Sequence, residues 1–135
     1  MKKEPTMTNL ELFKKEQYIN LETYRKTGVG VKTPVWFIEY NGELCFTTVA
    51  DSAKVKRMRN NPSVKIAACK MDGTVTGEWV SGSIRFLQKE EVQAVDKVYS
   101  KKYGVMKFLF DLPKLFGKKP ERAFIAIKLT ESSFL

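Results

Sequence analysis

The residue types best suited to binding chemistry occur together where a predicted strand passes into a short basic helix. They are Thr47, Thr48, Ser52, Ala53 and Lys54. The N-terminus of a helix offers unpaired N–H groups and the positive end of its dipole, and hydroxyl groups beside a lysine complete an anion site. The chain lacks the glycine-rich phosphate loop of nucleotide-binding proteins, so a solvent-exposed helix face capped by Ser52 is the alternative.

A second candidate is the run Thr-Pro-Val-Trp at 33–36, in which a proline interrupts a predicted strand. Proline has no N–H, so in a sheet it belongs at an edge or a bulge, where neighbouring backbone groups are free to bind a planar ligand. Trp36 offers a stacking surface, although a core tryptophan is the alternative. A third candidate, Trp79, lies between glycines that allow close backbone approach, and its alternative is a bulged core strand.

The composition excludes several kinds of catalytic and metal site. The sequence contains no histidine, which rules out a Ser–His or Cys–His relay and a histidine-ligated metal. Its two cysteines, Cys45 and Cys69, are too few for a disulfide framework or a four-thiolate zinc site, and we expect both to be small buried hydrophobes. We therefore predict no side-chain nucleophile, no acid–base pair and no bound metal.

The charge balance is strongly basic. Lysine and arginine number 24 against 15 aspartates and glutamates, a net charge of +9, so the surface attracts nucleic acid, lipid headgroups or phosphorylated small molecules. The first 13 residues carry two lysines with no apolar run after them, and no window approaches the ~20 apolar residues of a spanning helix. We expect a cytoplasmic protein with one domain, 1–135.

Apolar alternation and turn residues predict six strands. They are 18–24, 31–40, 43–49, 64–69, 74–87 and 123–129, with Asn41-Gly42 as a hairpin turn. Helices are expected within the N-terminal residues 1–16 (at 8–15), at 51–59 and at 89–102, the last ended by Gly104. Short connections favour an antiparallel sheet, and glycine kinks favour its curling into a small barrel.

The stretch 105–119 carries more apolar residues than a surface loop needs, and Pro113 prevents it from forming one long helix. It could be a lid over a cofactor, part of a subunit interface or a core-packing helix. Over 105–116, with its flanking lysines, it could also contact a membrane surface.

Five motifs, taken in order, resemble those of the flavin-reductase-like split-barrel proteins. They are Tyr-Arg-Lys-Thr-Gly at 24–28, Thr-Pro-Val-Trp at 33–36, Asp-Ser-Ala-Lys-Val-Lys-Arg at 51–57, Asn-Pro-Ser-Val at 61–64 and Gly-Glu-Trp-Val-Ser-Gly at 77–82. More closely, the pattern is similar to the branch related to pyridoxamine 5′-phosphate oxidase whose members are described as F420-dependent enzymes. The resemblance covers about residues 18–130.

This resemblance implies a mainly β fold with helical insertions, namely a six-stranded antiparallel Greek-key split barrel of the FMN-binding type. It implies a homodimer with FMN or the deazaflavin F420 at the subunit interface. The implied cofactor residues are Lys54, Ser52, Ala53, Thr47 and Thr48 at the phosphate, and Thr33, Pro34, Val35 and Trp36 at the ring. Charge and location add Arg57 and Arg25, and Trp79 would reach the site from the other subunit.

The implied activity is that of an oxidoreductase that passes hydride or electrons from F420 or FMN to a small-molecule substrate. Oxidation of pyridoxamine phosphate is not expected, because the Arg/His pair that grips this substrate in the family is missing. A cofactor-binding or storage module without turnover is the alternative. A nucleic-acid-binding barrel is a further alternative, but nucleic acid is not the expected partner, because the basic residues cluster at a helix start and do not interleave with aromatics along a strand.

Overall fold

The computed structural model describes residues 9–111 and 121–130, with the backbone alone at 105–111. In these ranges the chain forms one 3₁₀ helix, seven strands and two α-helices. They are the 3₁₀ helix Asn9–Phe13, β1 Tyr18–Tyr24, β2 Gly30–Trp36, β3 Ile38–Tyr40, β4 Glu43–Val49, α1 Ala53–Asn60, β5 Ser63–Cys69, β6 Val80–Phe86, α2 Lys89–Asp111 and β7 Arg122–Leu129. No helix of the described residues is long and apolar enough to cross a membrane.

The strands form one antiparallel sheet that curls until its two edges meet. The strand order is β2-β1-β5-β6-β7-β4-β3. β2 and β3 therefore lie at opposite edges, yet Phe37 alone separates them in the chain. The sheet must close on itself at this residue, which makes 30–40 one bent run shared by both edges.

Alternation along the strands gives the curled sheet an inner and an outer apolar face. The inner core includes Ile19, Leu21, Phe46, Ile66, Ile125 and Ile127. Two residues of α1, Val55 and Met58, complete this core. On the outer face α2 packs Val95, Tyr99 and Tyr103 against Ile38, Cys45 and Ala126. Both cysteines are buried free thiols, as predicted.

Side chains of α2 form hydrogen bonds with the backbone at the junction of β2 and β3. The phenolic oxygen of Tyr103 accepts the Phe37 N–H at 2.9 Å and lies 2.6 Å from the Phe37 carbonyl oxygen. Tyr99 donates to the carbonyl of Trp36 at 2.8 Å, and the Lys102 ammonium donates to the carbonyl of Phe37 at 2.9 Å. Backbone groups that the break removes from the sheet ladder are thus satisfied by a helix, which fixes the edge of β2.

Two turn predictions are confirmed by backbone conformation. Asn41 and Gly42 have φ values of 51° and 79°, the left-handed pair that a two-residue hairpin requires. Gly104 has a φ of 42° and breaks α2, as expected for a helix end. The helix nevertheless resumes after this kink and continues to Asp111.

The structure corrects the predicted strand count and the first helix. The described residues form seven strands rather than six, because the run 31–40 divides at Phe37. The helix predicted at 8–15 is a five-residue 3₁₀ helix, Asn9–Phe13. Its apolar positions, Leu10 and Phe13, support one turn, which is too little to sustain an α-helix.

Two further boundaries differ from those predicted. The extended run at 74–87 becomes a strand at Val80, preceded by a single bridge between Cys69 and Val75. The stretch 105–119 is helical over its first seven residues. Residues 112–119, including Pro113, lie outside the described residues, so the lid, interface and membrane interpretations stay predictions.

Candidate functional site

An open cleft of about 500 Å³ lies on the outer face of the sheet, where β2 diverges from β4. Its lining residues are Tyr18, Pro34, Trp36, Thr47, Lys54, Met71 and Arg122. Four of these were predicted at the cofactor, namely Pro34, Trp36, Thr47 and Lys54. The structure thus brings the proline-containing strand and the start of the basic helix to one cleft.

Strand register explains why these distant residues share a surface. Continuing the β3–β4 register beyond the pair Ile38–Cys45 places Trp36 opposite Thr47. Across β1 and β2, Trp36 is paired with Tyr18. Side chains that are paired or two residues apart point to the same face of a sheet, so the alternation that buries the inner core also aligns this lining on the outside.

Lys54 and Arg122 supply the positive charge of the cleft. Arg122 donates through Nε to Thr47 Oγ1 at 3.2 Å and through Nη2 to the Thr47 carbonyl at 3.3 Å. Burial lowers the pKa of Lys54, and the nearby cations Arg57 and Arg122 lower it further. Ion pairs within the described residues involve Arg85 and not these three cations. An anion bound here would relieve the repulsion among them.

The start of α1 contributes backbone and charge near this cleft. Ser52 is the N-cap, and its Oγ accepts the Val55 N–H at 3.3 Å, which leaves the hydroxyl proton as a donor. Ala53 follows as the first helical residue. Arg57 lies one turn after Lys54 and donates from Nε to Thr23 Oγ1 at 2.7 Å. Ser52, Ala53 and Arg57 are therefore neighbours of the lining rather than members of it.

An aromatic stack fixes the flat side of the cleft. The rings of Trp36 and Tyr103 are 4.5 Å apart between centroids and 11° from parallel. Tyr99 packs against Tyr103 at 5.2 Å. Burial raises the pKa of both tyrosines, and both hydroxyls bind backbone groups. They hold Trp36 in place and are unsuited to act as acids or bases.

Three residues predicted at the cofactor lie on the inner face of the sheet instead. Val35 packs against the inner core. Thr33 lies on the same face of β2, and its own hydroxyl is buried without a hydrogen-bond partner in the described residues. Thr48 lies on the face of buried Phe46. The prediction treated each run as a unit, whereas strand alternation sends every second side chain to the opposite face.

Two other predicted residues lie away from the cleft. Arg25 lines a separate polar cleft of about 310 Å³ together with Lys26 and Asn61. Trp79 is 36% exposed, and the Lys32 ammonium lies 5.2 Å from its ring centroid. Its contribution to a site on a second subunit stays a prediction.

Sequence reasoning missed three residues of the lining. Tyr18 could have been found, because the alternation of β1 places it on the face opposite buried Ile19. Met71 is 71% exposed just before the Asp72-Gly73 turn, and exposure cannot be read from residue type. Arg122 lies 75 residues from Thr47 in sequence, so no local pattern joins them.

The arrangement suits a planar ligand with an anionic tail. A fixed indole and a proline provide a flat apolar surface, and two cations with a threonine hydroxyl provide an anion site. Among the described residues no group of three or more Cys, Asp or Glu side chains is placed to hold a metal ion.

The sequence matches no protein-family model and no curated protein, but solved structures share its fold. The heme storage protein HutZ from Vibrio cholerae aligns with a TM-score of 0.68 at 10% identity, covering 93% of this chain and 90% of that one. A FAD-binding protein from Mesorhizobium loti aligns with a TM-score of 0.59 at 16% identity, covering 94% and 96%.

Two more structures extend this comparison. The protein Atu2129 of unknown function from Agrobacterium tumefaciens aligns with a TM-score of 0.68 at 14% identity over 87% of this chain, which spans half (50%) of that longer protein. An F420 reductase aligns with a TM-score of 0.52 at 16% identity, covering 88% of this chain and 90% of that one. The chain therefore has the split-barrel fold found in flavin-binding and heme-binding proteins.

Proposed function

We propose that this chain is an oxidoreductase that binds a flavin-type cofactor, FMN or the deazaflavin F420, in the cleft. One observation carries the proposal. Lys54 and Arg122 form no ion pair within the described residues, and they line the same cleft as the fixed indole of Trp36. A phosphate or carboxylate tail would neutralise the two cations, while the ring would lie beside Pro34 and Trp36.

The protein's part in this chemistry is binding and orientation. Bound flavin or deazaflavin supplies hydride or electron transfer, so no nucleophile is required from the chain. Thr47 aims Arg122 through two hydrogen bonds, and the stack behind Trp36 prevents the indole from turning. Tyr18 also lines the cleft, and its hydroxyl can donate a hydrogen bond to a ring carbonyl or to a small-molecule substrate.

We further propose a homodimer in which the second copy closes the cleft. Three large apolar side chains of the β5–β6 connection are exposed, namely Met71, Val75 and Trp79. Met71 also belongs to the lining, so a subunit that covers this connection would shield the ring from water. The same burial would let Trp79 approach the site of the partner.

Direct titration tests the proposal. FMN and F420 should each be added to the purified protein while ligand fluorescence is followed, and at least one should bind with a dissociation constant below about 100 μM. Transfer of electrons from chemically reduced cofactor to an artificial acceptor under anaerobic conditions then separates an oxidoreductase from a storage module, which would bind the cofactor without turnover. Failure of both cofactors to bind would contradict the proposal.

Heme storage is a second candidate function. It is favoured by the likeness to HutZ and by Tyr18 and Met71, since tyrosine and methionine are side chains that ligate heme iron. Titration with hemin distinguishes the two functions. A Soret shift that disappears in the Tyr18→Phe variant would favour heme, and no shift would favour flavin.

A further inference from the structure

A second, smaller cavity of about 110 Å³ lies apart from the cleft and shares no lining residue with it. Its apolar lining consists of Leu10, Phe13, Phe37, Ile38, Leu44 and Val98. Three charged residues, Lys14, Glu39 and Lys102, complete the lining. The cavity therefore combines an apolar interior with a net positive rim.

Lys102 is the residue of this cavity with the most unusual surroundings. Its ammonium lies 3.7 Å from the ring centroid of Phe37 and donates one hydrogen bond, to the Phe37 carbonyl, at 2.9 Å. A lysine ammonium carries three N–H donors, and the described residues offer no further acceptor to this one. Burial lowers its pKa to about 8, and the carboxylate of Glu16, beyond ion-pair distance, opposes this only in part.

An ammonium with two N–H donors not bonded to the described residues, beside an apolar cavity, is complementary to an amphipathic anion. The volume of 110 Å³ admits about four heavy atoms, if each takes roughly the 30 Å³ of a water in the liquid. A carboxylate on a tail of about four carbons would place its chain among the apolar side chains and its charge at the free donors of Lys102. Glu39, the one carboxylate of the lining, is outnumbered there by two lysines.

We propose that this cavity binds a short aliphatic carboxylate, with the alkyl chain between Phe13 and Leu44 and the carboxylate on Lys102. This site goes beyond the proposed function, because it neither includes a residue of the cleft nor needs a bound flavin. It gives Lys102 a ligand-binding role in addition to its contact with the junction of β2 and β3.

Pentanoate is the probe that tests this site. Its binding should be followed by NMR of the lysine side chains and of the Leu44 and Val98 methyl groups in the full-length protein, where these signals should respond with a dissociation constant of about 1–10 mM. The methyl signals also report the affinity of variants that lack Lys102. Bound carboxylate favours the charged form of the amine, so the pKa of Lys102 should rise above about 8 when pentanoate is added.

Matched variants and a neutral analogue make the test specific. Lys102→Met keeps the aliphatic stem and should weaken pentanoate binding at least about tenfold, the effect of losing one charge-assisted hydrogen bond. Lys101→Met, which changes a neighbour outside the lining, should leave binding unchanged. Val98→Phe should fill the cavity and abolish binding, and pentanamide should bind at least about tenfold more weakly than pentanoate.

The proposal is overturned if pentanoate leaves the Lys102 signal unchanged at about 50 mM, a concentration several times the expected dissociation constant. Equal affinity for pentanoate and pentanamide, or equal affinity in the Lys102→Met variant, would overturn it as well. Thermal unfolding of each variant shows whether a loss of binding reflects a loss of fold. FMN or F420 titration of the same variants keeps a failure here distinct from a failure of the cleft.

Discussion

Lys54 and Arg122 reach the cleft from a helix and a strand that lie far apart in the chain. The charge of Lys54 is costly there, because this side chain is partly buried and its neighbours Arg57 and Arg122 carry the same charge. A side chain held in such surroundings without a carboxylate partner in the described residues is better explained by a bound anion than by fold stability. Substitution of Lys54 and Arg122 therefore tests the functional proposal.

Replacing Lys54 by alanine should weaken the binding of FMN or F420 by about 1.5–3 kcal/mol, the scale of a hydrogen bond to a charged group. Fluorescence titration measures this change. Lys56→Ala is the matched control, because Lys56 is an exposed cation of the same helix outside the lining. Equal affinities of the two variants would remove Lys54 from the anion site, whereas the melting temperature should be similar in both.

Residue types predicted part of this site and geometry supplied the rest. A serine cap followed by a lysine is visible in the sequence as an anion-binding pattern, and a proline inside a strand marks an open edge. Arg122 could not be predicted, because its partner Thr47 is distant in sequence. The resemblance grouped Thr33 and Val35 with Pro34 and Trp36, whereas strand alternation directs their side chains to the inner face, since a motif names residues without saying which face each one takes.

Among the elements, α2 supplies hydrogen bonds to backbone groups that a continuous strand would otherwise pair within the sheet. The hydroxyl of Tyr103 serves both backbone groups of Phe37, and Tyr99 serves the carbonyl of Trp36. The backbone groups at the end of β2 are thereby satisfied although β2 pairs with β1 alone, and the cleft lies between β2 and β4. The break cannot be seen in the sequence, because the apolar run 35–38 passes through Phe37 without interruption. The tyrosines that bind the backbone at the break also lie more than 60 positions away.

Removing the hydroxyl of Tyr103 should destabilise the fold. The Tyr103→Phe variant leaves the buried N–H of Phe37 without a partner, which costs about 1–3 kcal/mol. Urea unfolding measures the change. Tyr40→Phe is the control, because the Tyr40 hydroxyl makes no hydrogen bond within the described part of the chain. A loss of the same size in both variants would show that the contact with Phe37 contributes nothing.

Acid should weaken the attachment of the α2 N-terminus. The Arg85 guanidinium lies between Glu43 and Glu91 at 2.7 and 2.8 Å, and chiefly through its hydrogen bonds it lowers the pKa of Glu91 to about 2. A carboxyl whose folded pKa is depressed stabilises the fold above its unfolded pKa, and this stability is lost as the pH falls from about 4.5 to about 2.

The Glu91→Gln variant should therefore show a flatter loss of unfolding free energy over that pH range than the unaltered protein. Urea unfolding at a series of pH values measures the slope. Glu90→Gln, which alters the neighbouring carboxylate outside the Arg85 cluster, should keep the original slope. Parallel slopes in all three proteins would contradict a stabilising role for the Arg85–Glu91 pair.

The whole molecule combines a net charge of +9 with a curled sheet of split-barrel type. The barrel was predictable, because strand alternation, the Asn41-Gly42 hairpin and the order of five weak motifs all agree with one fold. The division of the run 31–40 into β2 and β3 and the length of α2 could not be predicted, because both depend on contacts between distant segments. The net charge alone does not identify the ligand, and the proposal of a planar ligand with an anionic tail depends on the residues that line the cleft.

Size-exclusion chromatography with light scattering should give a mass twice that of one chain, because a second copy would cover Met71, Val75 and Trp79. Replacing Met71 and Val75 together by serine should shift the protein towards the monomer and weaken cofactor binding. Leu12→Ser, at an exposed apolar residue elsewhere, is the control. A monomeric mass at all concentrations would contradict the proposed closure of the cleft.

The most direct test of the central claim is a crystal structure of the protein with whichever of FMN or F420 binds more tightly. We predict that the anionic tail lies within hydrogen-bond distance of the Lys54 and Arg122 side chains and that the ring lies beside Pro34 and Trp36. An empty cleft at saturating cofactor, or a cofactor bound elsewhere on the molecule, would contradict the account.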